Sequence, residues 1–473
     1  MLFSPSPKRR RIQLQISERR RLLMVGDVLV VSAAVLIALR VWAFVGRRAF
    51  TWAFIVPQLY WLPIFIGLWL LLASANDFYD LRTISNRRES LQRLLLISLQ
   101  MLVVYLVIFF FSPRDALPRL FSIYYGVVSF MLLGVWRMIY PSIAGWASEP
   151  RRVLIVGTDW ASESIIGAIG RYAYSEYQIM GIIGESDEVG TTICDVPIIG
   201  TGADLMALAL HERVSELIVT STRELSGQTF QGVMDAYVWG LNVVPMPLLY
   251  ERITGRVPVE HINKNWAVVL PLDGASTFNP YPAIKRVIEV MLACIGMAVF
   301  LALLLPLAII IKLDSPGGIF YSQKRVGLNG HVFSIYKFRT MFSDAEARSG
   351  AVFSRQGDPR VTRSGRIMRK TRLDELPQLI NILRGDMSLI GPRPERPEHV
   401  ERLMTKIPFY RTRLVIRPGL TGWAQVRYGY GSDDEDALMK LQYDLYYIRH
   451  QSLLLDLNIM IRTAGKVIKM SGV

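Results

Sequence analysis

The hydropathy of the chain changes rhythm twice. Up to residue 140 it runs in long apolar blocks, 22–45, 52–75, 94–111 and 120–140. Each approaches the roughly 20 residues that cross ~30 Å of hydrocarbon, which predicts a four-helix transmembrane domain over residues 1–145. From Arg151 the blocks shorten. Runs with strand character at 153–157, 179–184, 217–222 and 242–245 alternate with helical patterns near 161–171, 205–212 and 230–239. That alternation predicts a parallel sheet faced by helices, a Rossmann-like α/β domain over 146–250, with 251–277 as a linker. A last stretch, 278–473, begins with the apolar run 287–311 and then becomes dense in arginine, glycine and proline.

Charge gives these segments different characters. Of the 473 residues, 54 are basic and 39 acidic. Residues 1–150 carry 17 basic and 7 acidic side chains, 151–277 carry 8 and 15, and 278–473 carry 29 and 17. In the first segment the bias reads as topology. Arg82, Arg87, Arg88 and Arg93 occupy the loop between the second and third runs, against Arg47, Arg48, Arg114 and Arg119 in the neighbouring loops. Positive-inside asymmetry therefore places the amino end, basic at residues 8–11 and 19–21, and that loop on the cytoplasmic side. A secretory signal is a poor fit, because no small-residue cleavage site closes a short apolar region. An apolar fraction of 51% excludes intrinsic disorder, and two cysteines exclude a disulfide scaffold. The five histidines are scattered, without a zinc-site spacing.

The first strand–helix turn of the acidic segment reads Gly157-Thr158-Asp159-Trp160-Ala161-Ser162. A dinucleotide fingerprint needs further glycines where the backbone meets pyrophosphate. Asp159 and Trp160 oppose one, and Glu185 alone is a weak ribose signal. No cofactor-binding residue is assigned there.

The run 287–311 has two solutions. As a plain fifth span it would carry everything after it across the membrane. Pro306, which lacks an amide and clashes with the preceding turn, allows instead a re-entrant hairpin over 284–311 that returns to the face it entered. Lys285, Arg286 and Lys312 on the flanks suit two cytoplasmic ends. Beyond it, Lys337 and Arg339 share one face of an alternating segment, and arginines recur beside rigid Gly/Pro turns. Fixed cationic clamps for phosphate fit this pattern. A nucleic-acid groove would want interleaved aromatics, which are few here. Asp374-Glu375 is the only acidic pair inside the arginine-rich run. Cations around a carboxylate favour its charged form, and an ionised aspartate can attack phosphorus or hold Mg²⁺. Helix capping or surface pairing is the plain alternative for such a dipeptide.

The blocks 336–341, 369–378 with Asp374-Glu375, 384–394 with Gly-Pro-Arg-Pro, and 417–425 occur in an order that resembles the bacterial sugar transferases. These are the monotopic polyprenyl-phosphate phosphoglycosyl transferases. Four spans and a degenerate sheet domain ahead of the blocks look like the large members of that family. The resemblance implies an enzyme that moves a sugar 1-phosphate, of a hexose such as glucose or galactose, from a UDP-sugar to undecaprenyl phosphate. UMP is released, as the first membrane step of exopolysaccharide, capsule or O-antigen assembly. It implies Asp374 as nucleophile and Mg²⁺ ligand with Glu375 as acidic partner, a covalent aspartyl phosphosugar intermediate, and Arg369 and Arg393 near phosphate. Lys337 and Arg339 lie in a family motif, and their phosphate role is inferred from charge. Membrane lipid is an expected partner, nucleic acid is not, and a homo-oligomer is compatible. Two positions depart from the pattern: Leu305 precedes the proline where a small polar residue is found, and Arg372 stands where a small residue is common. The competing reading is a membrane-bound nucleotide-sugar dehydratase or epimerase working through the Rossmann-like domain.

Overall fold

A computed structural model describes residues 16–76, 78–79, 83, 86–111, 119–146, 150–174, 176–220, 225–259, 279–342, 358–429 and 433–468. The basic residues 8–11, Arg82, Arg114 and positions 260–277 of the expected linker lie outside them. The chain forms two units, Met1–Met246 and Pro247–Val473.

The first unit opens with α1 (Ile16–Val45), α2 (Trp61–Ala75), α3 (Arg87–Phe111) and α4 (Arg119–Trp146). Within α1, α3 and α4 the stretches Arg21–Val45, Arg87–Phe110 and Leu120–Tyr140 are long and apolar enough to cross a membrane. The second apolar run is bent. A turn of helix at Trp52–Ile55 and a 3₁₀ turn at Val56–Gln58 precede α2, and the two parts meet at 46°. Pro57 and Pro63 flank the break, and neither can donate into a continuing helix. The interior is strongly aromatic, with Phe65, Trp69, Phe121 and Tyr125 buried together. One acid lies within it. Asp27 of α1 is fully buried and accepts from Arg137 of α4 (2.9 Å), Tyr79 (2.9 Å) and Trp69 (3.2 Å). Buried charge at bilayer depth is tolerated only with partners of this kind. Both residues interrupt apolar runs, a signal that hydropathy averages away.

The sheet of this unit comprises β1 (Arg151–Val156), β2 (Tyr177–Gly184), β3 (Thr192–Ile193), β4 (Val196–Thr201), β5 (Glu216–Val219) and β6 (Asn242–Pro245). Their order is β3-β4-β2-β1-β5-β6, parallel except for the β3–β4 hairpin. Helices α5 (Trp160–Tyr172), α6 (Leu205–His211) and α7 (Gly227–Val238) supply the crossovers. The four expected strands and three expected helices are present. The β3–β4 hairpin escapes the hydropathy pattern because its strands are short and hold Pro197 and polar residues.

The second unit begins earlier than expected. Helix α8 (Met246–Thr254) and the segment after it pack into the carboxyl-terminal core, where Val257 and Val259 are buried with Val326, Val400 and Leu445. Trp423 donates to the Gly255 carbonyl (3.1 Å), and Glu251 meets Arg449 (2.6 Å). The domain boundary therefore falls at 246/247, and residues 251–259 belong to a core where a linker was expected. Apolar side chains at 257 and 259 gain more from burial than a solvated linker would allow.

Helix α9 (Tyr281–Asp314) runs 34 residues without interruption, with Pro306 inside it. The break expected at Leu305-Pro306 for a hairpin over 284–311 is absent: the helix is continuous through the proline. Ala293, Phe300, Leu307 and Ile311, spaced by seven, seven and four residues, are buried against Ile335, Phe338, Met368 and Ile382 of the same unit. That packing can keep a helix continuous through a missing amide. The ends are tied to the same unit as well. Arg286 donates to the carbonyls of Ile382 (2.8 Å) and Leu383 (3.1 Å), while Asp314 accepts from the Ser364 amide (2.8 Å) and hydroxyl (2.7 Å). The opposite face stays apolar and open, with Leu305 70% and Leu313 83% exposed. A row of this kind suits lipid better than water.

The rest of the unit comprises the hairpin β7 (Phe320–Val326) and β8 (Val332–Phe338), then α10 (Arg363–Thr371), a 3₁₀ segment Leu373–Gln378 and α11 (Leu379–Arg384). Strand β9 (Ser388–Ile390), helix α12 (Pro397–Lys406) and a 3₁₀ segment Tyr410–Val415 follow. Strand β10 (Gly419–Thr421), which pairs with β9, precedes α13 (Trp423–Arg427), α14 (Asp434–Arg449) and α15 (Leu453–Ile468).

Candidate active site

Three elements converge on the acidic pair. Strand β8 delivers Lys337, the end of α10 delivers Arg369 and Arg372, and the loop after β9 delivers Arg393. The pair occupies the 3₁₀ segment that follows Arg372, and both carboxylates are buried, each 6% exposed. Arg372 has φ +59°, in the left-handed region that disfavours a side chain. An arginine there is strained, and its guanidinium lies 3.7 Å from Glu375. The departure noted in the sequence thus adds a cation to the pair. Further back, Gly391 and Gly419 let β9 and β10 run backbone to backbone; a Cβ on Gly391 would lie 2.4 Å from the Arg417 carbonyl.

The two acids are treated differently. Glu375 Oε1 accepts from Lys337 Nζ and from Arg393 Nη2, both at 2.8 Å. Asp374 Oδ1 is buried and has no hydrogen-bond partner among the described residues. Burial pushes the Asp374 carboxyl up to about 6, helped by the Glu375 charge and opposed by Lys337, Arg369 and Arg372. Burial pushes Glu375 up too, but Lys337, Arg393 and Arg372 outweigh it and hold it well below the usual carboxylate range. Glu375 is therefore the fixed anion of the pair, and Asp374 the poised one.

Five of the six candidate residues gather here. Arg369 donates from Nε to Thr340 Oγ1 (2.9 Å), which orients it beside the pair. Arg339 goes elsewhere. It lies past the end of β8, where strand alternation no longer sets its direction. Its guanidinium donates to the carbonyls of Ser315 (2.7 Å), Pro316 (2.8 Å) and Ile311 (3.4 Å), and so caps the carboxyl end of α9. Thr340 and Arg372 are site residues that were not assigned from the sequence, although both lie inside the blocks 336–341 and 369–378.

Among the described residues no three His, Cys, Asp or Glu side chains are grouped to hold a metal. Mg²⁺ does not require that. It commonly takes one or two carboxylates and completes its shell with water and substrate phosphate, so a buried Asp374 oxygen without a partner fits such a site.

The tip of the sheet in the first unit is the other place where a phosphate could be sought. Gly157 has φ +114° and its missing Cβ makes room for Thr220, so the tight turn is kept. Over it, Glu188 accepts from Thr158 Oγ1 (2.9 Å) and from the Glu185 amide (3.0 Å). A pyrophosphate would have to displace one carboxylate and lie beside another, that of Asp159.

Fold and site together define a membrane protein whose carboxyl-terminal domain buries a carboxylate pair among cations. The chain belongs to the bacterial sugar transferase family, whose model matches residues 280–470. It is 46% identical over 186 residues to a UDP-glucose:undecaprenyl-phosphate glucose-1-phosphate transferase of Caulobacter vibrioides, covering 39% of this chain and 69% of that protein. Over 219 residues it is 44% identical to a UDP-N-acetylgalactosamine-undecaprenyl-phosphate N-acetylgalactosaminephosphotransferase of Aeromonas hydrophila, covering 46% of this chain and 50% of that protein. The matched stretch thus spans half the length of the Aeromonas relative. A UDP-glucose:undecaprenyl-phosphate glucose-1-phosphate transferase of Klebsiella pneumoniae is 28% identical over 416 residues, covering 84% and 85%. Residues 74–227 match a second model, a CoA-binding domain. The acidic tip described above does not fit a phosphorylated cofactor.

Proposed function

We propose that this protein transfers a hexose 1-phosphate from a UDP-sugar to undecaprenyl phosphate, releasing UMP and forming undecaprenyl diphosphosugar. The observation that carries the reading is the division of labour in the pair: Glu375 absorbs Lys337 and Arg393, while an oxygen of Asp374 has no partner among the described residues. That oxygen attacks the phosphorus bearing the sugar, the bond to the uridine phosphate breaks, and UMP leaves with the bonding electrons. An aspartyl phosphosugar results. The phosphate oxygen of undecaprenyl phosphate then attacks the same phosphorus and frees the carboxylate. Arg369, Arg372 and Arg393 offset the charge that brings two anions to a carboxylate. Mg²⁺ held by substrate phosphate and by the carboxylate oxygen of Asp374 that does not attack would, when bound, neutralise the developing charge on the leaving nucleotide.

The membrane arrangement follows from the substrates. The nucleotide sugar is cytosolic and the polyprenyl phosphate lies in the inner leaflet, so the site belongs on the cytoplasmic face of the plasma membrane. Both ends of α9 are tied to the domain that holds the pair, and this supports two ends on one side. A cysteine replacing Lys312, in a chain lacking Cys194 and Cys294, should resist a periplasmic thiol reagent; labelling from outside would contradict this topology.

The decisive experiment supplies the purified protein with Mg²⁺, undecaprenyl phosphate and a panel of UDP-hexoses, and follows UMP. Release with one sugar, dependent on the lipid, is the expected result. No release with any member of the panel would overturn the reading.

A further inference from the structure

We infer that Arg413 and Arg325 are positioning residues that pin the Arg393 loop against the carboxylate pair. The inference rests on the reading of that pair as the reacting site. Residues 392–395 read Pro-Arg-Pro-Glu, and their four consecutive carbonyls each accept from a different donor. Pro392 O takes the Gly419 amide (2.8 Å), Arg393 O takes Arg413 Nη2 (3.0 Å), Pro394 O takes Arg325 Nη1 (3.1 Å), and Glu395 O takes the Val326 amide (2.9 Å). The two prolines fix φ but donate nothing, so the loop must be held from outside. Two holders are strand amides; the other two are guanidiniums brought from distant segments.

Neither arginine serves the loop alone. Arg413, 7% exposed, lies 2.9 Å from Asp444 of α14 and donates from Nη1 to Tyr410 Oη (2.6 Å). Arg325 of β7 donates from Nη2 to Gln323 Oε1 (2.6 Å) and lies 3.7 Å from Glu395. A planar fork can satisfy an acid and a carbonyl at once, which a lysine ammonium on a single stem does less well. The consequence appears at the other end of Arg393, whose Nη2 reaches Glu375 at 2.8 Å. If the loop loosens, the pair loses one cation and retains Lys337 from β8 with Arg369 and Arg372 from α10.

The test uses the full-length protein in lipid and two variants, Arg413→Lys, which retains a charge for Asp444, and Arg325→Met. Two quantities are measured, amide exchange across the protein and the kcat and KM of UMP release. Both variants should exchange faster in the 391–396 segment while the rest of the domain exchanges as in the wild type. They should lose about 10- to 100-fold in kcat, the scale of a misplaced group, with KM for the UDP-sugar little changed. A fold defect alone would speed exchange throughout the domain. Wild-type exchange at 391–396 in both variants, or faster exchange spread over the whole domain, would overturn the inference. If Arg413→Lys does not fold, Arg325→Met decides by the same two readouts. Should the wild-type protein release no UMP at all, the functional reading fails while exchange still decides the clamp: faster exchange supports it, unchanged exchange ends it.

Discussion

The sheet tip of the first unit and the 3₁₀ segment of the second both present acids at a turn, yet they are opposite in kind. At the tip, Glu188 is satisfied by a hydroxyl and an amide, and the helix that follows is preceded by Asp159. In the 3₁₀ segment one acid is saturated by cations and its neighbour keeps a buried oxygen that has no partner among the described residues. The parallel sheet has the architecture usually linked to phosphate binding. The segment without such architecture has the charge. The phosphate chemistry proposed for this protein is placed by where cations gather around buried acids, and the fold around them is secondary.

The contrast can be broken most severely at Asp374. Asp374→Asn should lower UMP release by at least about a thousandfold, as expected for removal of a nucleophile; turnover near wild type would remove the distinction between the two acids. Next in size is Lys337→Met, which takes one of the two close cations from Glu375. A loss of about a hundredfold is expected. Its acid limb should lie above that of the wild type, whose activity should fall as pH drops through about 6, where Asp374 protonates. An unmoved limb would mean that Lys337 does not set the charge of the pair.

A smaller effect sharpens the same point through stability. Asp374 titrates near 6 in the folded protein against 3.8 ordinarily. Between those values the folded state binds more protons than the unfolded state, so stability declines as pH rises through the window and stays lower above it. Asp374→Asn removes that penalty and should raise Tm at pH 7.5 by about 2–4 °C, what ~1 kcal/mol yields in a domain of this size. An equal gain at pH 3.5 would argue against a charge effect. Least of all should follow from Glu188→Ala: transfer should stay within about twofold. A tenfold loss would show that the sheet tip participates and would end the comparison.

Much of the molecule was legible from its order of residues. Four apolar runs, a βα alternation and an acid pair among arginines are local facts, and the helices, the parallel strands and the clustering of Lys337, Arg369 and Arg393 about Asp374-Glu375 follow from them. The errors fall where a local rule met a tertiary partner. Pro306 weakens a helix on its own, but a buried stripe from Ala293 to Ile311 keeps α9 continuous. Arg339 shares a strand face with Lys337 in sequence, yet the open carbonyls at the end of α9 claim its guanidinium. Residues 251–259 looked like a linker until their valines found a core.

The sequence by itself therefore determined composition, periodicity and which charges stand near one another along the chain. Only the tertiary structure decided which of two adjacent acids is saturated and which keeps an oxygen without a partner. Hydrogen bonds from Lys337 and Arg393 arrive across 38 and 18 residues, and no spacing along the chain encodes their direction. Desolvation depends likewise on what packs over the site, so a buried carboxylate that titrates near 6 is a property of the fold.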